Sequence, residues 1–178
     1  MNHVRYKQRD CKDQEKIGAF LTNTRIGVVG MVDGDMPYTV PVNYVWHNGS
    51  IYFHGMGSGR KEDILSKGPN VSFTVYEEVG TVTDPVPCKA DTAYMSVMIF
   101  GKVEKTASFD EAAGALQKIL DKYMPGFYNH PMSASFVEKY RSAHDNKGVA
   151  VYKITPSDMT AKENSADESQ LFHNHPHK

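Results

Sequence analysis

The stretch YTVPVNYVWHNGSIYFHGMGSGRK, Tyr38 to Lys61, decides how this chain folds. From Tyr38 to His47 the residues alternate, with Tyr38, Val40, Val42, Tyr44 and Trp46 on one face and Thr39, Pro41, Asn43, Val45 and His47 on the other. A period of two is that of a strand with one face buried. Asn48-Gly49 is the residue pair that most readily takes positive φ at both corners of a tight turn, so Ile51–His54 is expected to return antiparallel. Pro41 has no N–H to give to a ladder. It predicts an edge, a bulge, or a place where something other than a strand lies alongside. Asn43 shares its face, and its amide serves either a ligand or an ordinary structural hydrogen bond.

Beyond His54 the chain turns glycine-rich, with Gly55, Gly57 and Gly59, then Arg60 and Lys61, and Glu62 to Leu65 reads as a short helix. Glycines let backbone N–H groups approach an anion, while the cations and the helix start add positive potential. A phosphate-binding loop is one reading. The other is a solvated loop whose Arg and Lys face water. Two named motifs are excluded. The P-loop needs Lys and then Ser or Thr after its last glycine, but Arg60, Lys61 and Glu62 follow Gly59. The dinucleotide fingerprint needs a third glycine where Arg60 stands.

Working outward, residues 1–12 are polar and read as a frayed terminus. Asp13 can cap a helix to about Leu21 that buries Ile17, Phe20 and Leu21. Ile26 to Val32 is a strand, and Asp33-Gly34-Asp35 a turn. Downstream, Val71 to Tyr76 is a strand with Val71, Phe73 and Val75 inward. Residues 77–91, with Gly80, Pro85 and Pro87, read as a loop, flap or dimer arm. Tyr94 to Lys105 is a long strand, apolar on both faces, as expected at a subunit interface. Ser108 to Glu111 forms a capping box for a helix whose Ala112, Leu116, Ile119, Leu120 and Tyr123 are read as core. Pro125-Gly126 ends it. A second helix is expected over Ser135–Arg141 and a last strand over Gly148–Thr155. Many short strands with hairpin turns favour a barrel over βαβ repeats. From Pro156 the chain is polar, so residues 1–160 are expected to form one domain and 161–178 a flexible tail. In that tail His173, His175 and His177 alternate, but no carboxylate or cysteine scaffold fixes them and no native metal site is expected.

The chain of 178 residues is 40% hydrophobic and 23% charged, as expected of an ordinary globular domain. A net charge of −1 argues against general nucleic-acid binding. Cys11 and Cys88 form no C-x-x-C pair, so neither a disulfide framework nor a zinc knuckle is expected. No signal peptide or membrane span is readable, which makes the cytoplasm the expected location.

The order PYTVPVNYV (Pro37–Val45), IYFHG (Ile51–Gly55), GRK (Gly59–Lys61), SVMIFGKVE (Ser96–Glu104) and DKYMPG (Asp121–Gly126) resembles the pyridoxamine 5′-phosphate oxidase-like flavoproteins, and most of all their 5-nitroimidazole-resistance (Nim) branch. The resemblance implies a mainly β fold, an antiparallel, Greek-key-like FMN-binding split β-barrel with a few peripheral helices, acting as a homodimer with flavin at the subunit interface. It implies that Arg60 and Lys61, with Ser58, grip the FMN phosphate. It sets Val42, Asn43 and Tyr44 along the isoalloxazine, His54 and Gly55 beside the ring and ribityl chain, and Ser96 in reach from the second subunit. His54 stands where the Nim branch has a histidine associated with substrate. Its neutral imidazole can move a proton beside the flavin, or simply hydrogen-bond cofactor or backbone. The residues agree with the resemblance on two points: adjacent cations on a glycine loop suit a phosphate, and the break at Pro41 beside Asn43 suits a slot for a flat ring.

The vitamin-phosphate oxidases of this family close with Arg and His contacts. This chain has no comparable basic segment, which argues against a pyridoxine phosphate substrate. The expected activity is an FMN-dependent reduction of a small, nitroaromatic or quinone-like acceptor with NAD(P)H as transient donor. The alternative is a module of the same fold that holds flavin or haem without turnover.

Overall fold

The computed structural model describes residues 4–173. Six strands, β1 (Ile26–Asp33), β2 (Met36–His47), β3 (Ser50–Gly55), β4 (Asn70–Val82), β5 (Asp91–Lys105) and β6 (Ala150–Asn164), close into a barrel in the order β1-β2-β3-β6-β5-β4, with every ladder antiparallel. Around it lie α1 (Gln14–Asn23), α2 (Arg60–Leu65), α3 (Phe109–Tyr123) and α4 (Ala134–Lys139). The turn at Asn48 and Gly49 takes φ of 48° and 69°, and sets Tyr44 opposite Phe53 and His47 opposite Ser50. Asp13 caps α1 by accepting from the Glu15 and Lys16 N–H groups. Ser108 accepts from the Glu111 N–H, and Glu111 reaches back to the Ala107 N–H rather than that of Ser108.

The barrel interior is filled by the inward-pointing residues of all six strands. Tyr44, Phe53, Phe73 and Tyr152 are fully buried there. Tyr44 meets Phe73 edge-on at 4.9 Å, and Phe53 stacks on Tyr152 at 5.3 Å. A second cluster forms outside the barrel, where α3 lays Ala112, Ala113, Ala115 and Ile119 over Val45, Tyr52 and Val151. Val45, placed by alternation on the outer face, is buried because α3 covers it.

Pro41 finds its explanation in the ladders. β2 pairs with β1 over Met36–Asn43 but with β3 only over Tyr44–His47. Pro41 therefore has β1 on one side and, among the described residues, no strand on the other.

Two strands run further than their composition suggests. β4 continues through Glu77 and Glu78 to Val82, so the expected long loop shrinks to residues 83–90; a register shift between Glu78 and Gly80 absorbs the break in pattern. β6 does not stop at Thr155 but passes Pro156 and continues to Asn164, burying Ala161. Pro156 sits opposite Gly101 at a register shift, where a bulge relieves it of donating to the ladder. Beyond β6, the Thr83 N–H donates to Gln170 and the Phe172 N–H to Thr81, so this part of the polar C-terminal segment lies along the end of β4. His173 places a ring nitrogen 3.1 Å from the Glu168 carbonyl, while His175 and His177 lie outside the described residues. No helix among the described residues is long and apolar enough to cross a membrane.

Candidate functional site

Strand β3 sends Ile51 and Phe53 into the barrel and His54 outward, and then delivers the chain to the glycine loop. Gly59 has φ of +98°, a conformation that L side chains rarely adopt. Lys61 folds back over Gly55, where a Cβ would meet Lys61 Nζ at 2.6 Å. Glycine at 55 therefore makes room for the ammonium group. Lys61 is half-buried, and among the described residues no carboxylate lies in ion-pair contact with it. Burial pulls its pKa below the ordinary lysine value, with Glu62 partly opposing. His54 keeps an accessible edge, yet its imidazole is held below its ordinary value, first by burial and then by the charge of Lys61. Helix α2 has six residues, less than two turns. The positive potential at this loop comes from side chains more than from a helix dipole.

The other two groups of the predicted phosphate grip are engaged elsewhere. Arg60 Nε binds Asp33 Oδ2 at 2.7 Å, and its guanidinium lies 4.4 Å from the centre of the Tyr38 ring. Ser58 Oγ donates to Asp145 Oδ2 at 2.5 Å, which holds that carboxyl below its ordinary value. Gly57 packs against the Gly148 carbonyl, with only 2.7 Å left for a Cβ. The loop is thus braced from β1 on one side and from the α4–β6 connection on the other.

On β2 the side chains of Val42 and Tyr44 point into the core, and the Tyr44 hydroxyl donates to the Leu21 carbonyl at 2.9 Å. What remains toward the outside is backbone and the exposed side chain of Asn43. The Tyr44 N–H donates to the Tyr123 hydroxyl at 2.9 Å. That hydroxyl lies within reach of the carbonyls of Tyr44 (3.0 Å) and Arg25 and gives its proton to one of them at a time. The last residue of α3 thereby closes the corner where β1 leaves β2. Beside it, Lys122 donates to the Thr24 carbonyl at 2.7 Å, and burial together with Arg25 lowers its pKa to about 8.

Ser96 is not brought to this loop within one chain. It lies on β5 at the far end from Lys105, whose Nζ binds Glu62 of α2 at 2.5 Å. At about 3.3 Å per residue the two ends are roughly 30 Å apart. Nothing in the sequence reading pointed to a cavity of about 200 Å³ beside His54, lined by Leu116, Met132, Phe136, Val137, Tyr140 and Val149. Its signal was the four-residue spacing of Phe136 and Tyr140, whose rings stack at 6.0 Å along α4. A larger, open cleft of about 920 Å³ runs over the outer barrel face past Val32, Thr39, Ser72 and Phe100. Around it Val28, Val32, Met36 and Met98 are exposed. Among the described residues, no group of His, Cys, Asp and Glu is placed to hold a metal ion.

A family model described as pyridoxamine 5′-phosphate oxidase matches residues 13–163. The chain belongs to this family. Among solved structures it is similar to a candidate 5-nitroimidazole antibiotic resistance protein from Bacteroides thetaiotaomicron (26% identity, 86% of this chain and 85% of that one, TM-score 0.67). The flavocytochrome Anf3 from Azotobacter vinelandii shares the fold at 23% identity, covering 95% of this chain and 77% of its own, with a TM-score of 0.74. So does an FAD- and haem-binding protein from Mycobacterium smegmatis at 17% identity, over 89% of this chain and 74% of its own, with a TM-score of 0.73. No protein of curated function matches the chain. Family and fold together make this a split barrel of the pyridoxamine 5′-phosphate oxidase type.

The depressed pKa of His54 has a consequence for stability. Above the ordinary histidine value of 6.5 both folded and unfolded chains hold this ring neutral. Below it the unfolded chain takes up a proton that the folded chain resists, so stability falls as the pH drops toward the folded value. His54→Gln is expected to flatten this acid-side loss in urea unfolding measured from pH 7.5 to 5. An unchanged slope would show that the imidazole is not held neutral by its surroundings.

Proposed function

We propose that this chain is an FMN-dependent oxidoreductase, active as a homodimer, that passes electrons from NAD(P)H to a small, flat acceptor such as a nitroaromatic. The observation that carries the reading is Lys61, a half-buried ammonium folded onto a glycine loop without a carboxylate partner among the described residues. A charge in that setting is stabilised by an anion, and the terminal phosphate of FMN supplies one. Lys61 and the loop hold the phosphate, Asn43 and the free edge of β2 receive the ring, and His54 faces the acceptor cavity as a neutral donor or acceptor of hydrogen bonds. Bound FMN supplies the electron transfer itself. The exposed apolar residues around the outer cleft support pairing of two copies, which would also bring a partner's Ser96 toward the loop.

The test is the visible spectrum of the purified protein after incubation with FMN and desalting. Retained twin flavin bands, bleached by NADPH and restored by a nitroaromatic, are expected, with the mass of a dimer by light scattering. A protein that retains no flavin overturns the reading. One observation favours a second reading, in which the same pocket holds haem: a neutral imidazole at the mouth of an apolar cavity can offer a ring nitrogen to iron. A Soret band in place of flavin bands is its signature.

A further inference from the structure

Of the three groups set against the phosphate, Ser58 and Arg60 already have anionic partners. Ser58 gives its one hydroxyl proton to Asp145, and Arg60 Nε is bound to Asp33. The two carboxylates come from different parts of the fold, Asp33 from the end of β1 and Asp145 from the connection between α4 and β6. Asp145 is fixed by its own loop, since its Oδ1 accepts from the Lys147 N–H at 3.1 Å. A carboxylate oxygen accepts from a hydroxyl or a guanidinium just as a phosphate oxygen does. Each carboxylate therefore satisfies a donor that a phosphate would take, and adds a negative charge where the phosphate must come.

We propose that Asp33 and Asp145 are internal stand-ins for the ligand's phosphate, which set the affinity of the site and its choice among flavins by competing for Arg60 and Ser58. The inference rests on the flavin reading above. A terminal phosphate carries a charge of nearly −2 and meets the competition in full. The diphosphate of FAD carries its charge spread over two groups, so the carboxylates narrow any preference for FMN over FAD. Neutralising a stand-in tightens binding, whereas removing a binding residue weakens it.

The experiment is a titration of purified wild type, Asp145→Asn and Asp33→Asn with FMN, FAD and riboflavin, read by flavin fluorescence. An amide oxygen at position 145 can still accept from the Lys147 N–H, so the loop keeps its shape. Asp145→Asn is expected to bind FMN roughly tenfold more tightly. FAD should gain less and riboflavin, which has no phosphate, nothing. Asp33→Asn should gain less than Asp145→Asn, because the Arg60–Asp33 pair is solvent-exposed and screened. FMN affinity unchanged or weakened in Asp145→Asn overturns the inference while leaving the flavin reading in place, as does an equal gain for riboflavin. A wild type that holds riboflavin as tightly as FMN also overturns it, since no phosphate is then gripped. A wild type that binds no flavin overturns both. Should Asp145→Asn fail to fold, Asp33→Asn decides by the same criteria.

Discussion

Replacing Arg60 and Lys61 together by alanine is expected to weaken FMN binding at least a hundredfold while leaving riboflavin within about threefold. A hydrogen bond to a charged group contributes about 1.5–3 kcal/mol. Two of them at the low end sum to about 3 kcal/mol, which is slightly more than a hundredfold in Kd. The loss should divide unequally. Among the described residues Lys61 has no competing carboxylate, whereas Arg60 already gives its Nε–H to Asp33 and lies over the Tyr38 ring, so only its remaining N–H groups are free to serve an anion. Lys61→Ala alone should therefore account for most of the effect. It should also raise the pKa of His54, because the charge of Lys61 is one of the two influences holding it down. Fluorescence titration gives the first number, and the pH dependence of the His54 ring signals by NMR the second. FMN affinity within fivefold of wild type in the double variant would remove the phosphate grip from this loop.

The second large effect is expected at Tyr123, whose hydroxyl bonds the β2 residue that faces Phe53. Tyr123→Phe keeps the ring and deletes only the hydroxyl. The Tyr44 N–H then loses its acceptor, and the carbonyls of Tyr44 and Arg25 lose their shared donor. Leaving the part-buried N–H and carbonyl of Tyr44 unsatisfied costs about 1–3 kcal/mol each, while the exposed Arg25 carbonyl turns to water, so a total of about 3 kcal/mol is expected. For a domain of this size that lowers Tm by roughly 6–12 °C. The same change should loosen the segment Val42–Tyr44 that is proposed to receive the flavin ring. Tyr123→Phe is therefore expected to weaken riboflavin and FMN equally, in contrast to the cation variants, which separate the two. A melting temperature within 2 °C of wild type would mean that water replaces the hydroxyl without loss.

Most of the barrel was legible in the sequence because its signals are local. Alternation from Tyr38 to His47, the Asn48-Gly49 turn and the caps at Asp13 and Ser108 each act within a few residues, and each is found in place. What escaped was non-local. The polar ends of β4 and β6 carry no hydrophobic pattern of their own; they are strands because β5 offers both of them a ladder along its length. Pro156 looked like a stop and is accommodated by a bulge against Gly101, which only the pairing reveals. Tyr123 was counted as core by its helical spacing, while its hydroxyl serves a strand corner. At the site the cations and glycines stood out, but Asp33 and Asp145, distant in sequence from the loop, carried no sign of the partners they take.

The placement of β6 also bears on how the chain is made. β3 and β5 are both synthesised before β6, yet their facing edges are joined only by it. A nascent chain complete through α4 therefore has five strands of an open sheet with two bare edges, one of them the long β5. Such edges are templates for pairing with another chain. The interval before Ala150–Asn164 emerges is the period of greatest aggregation risk during synthesis. Substitutions that slow the docking of β6, at Pro156 or Gly101 for example, should lower the yield of folded protein more than they lower the stability of the protein that does fold.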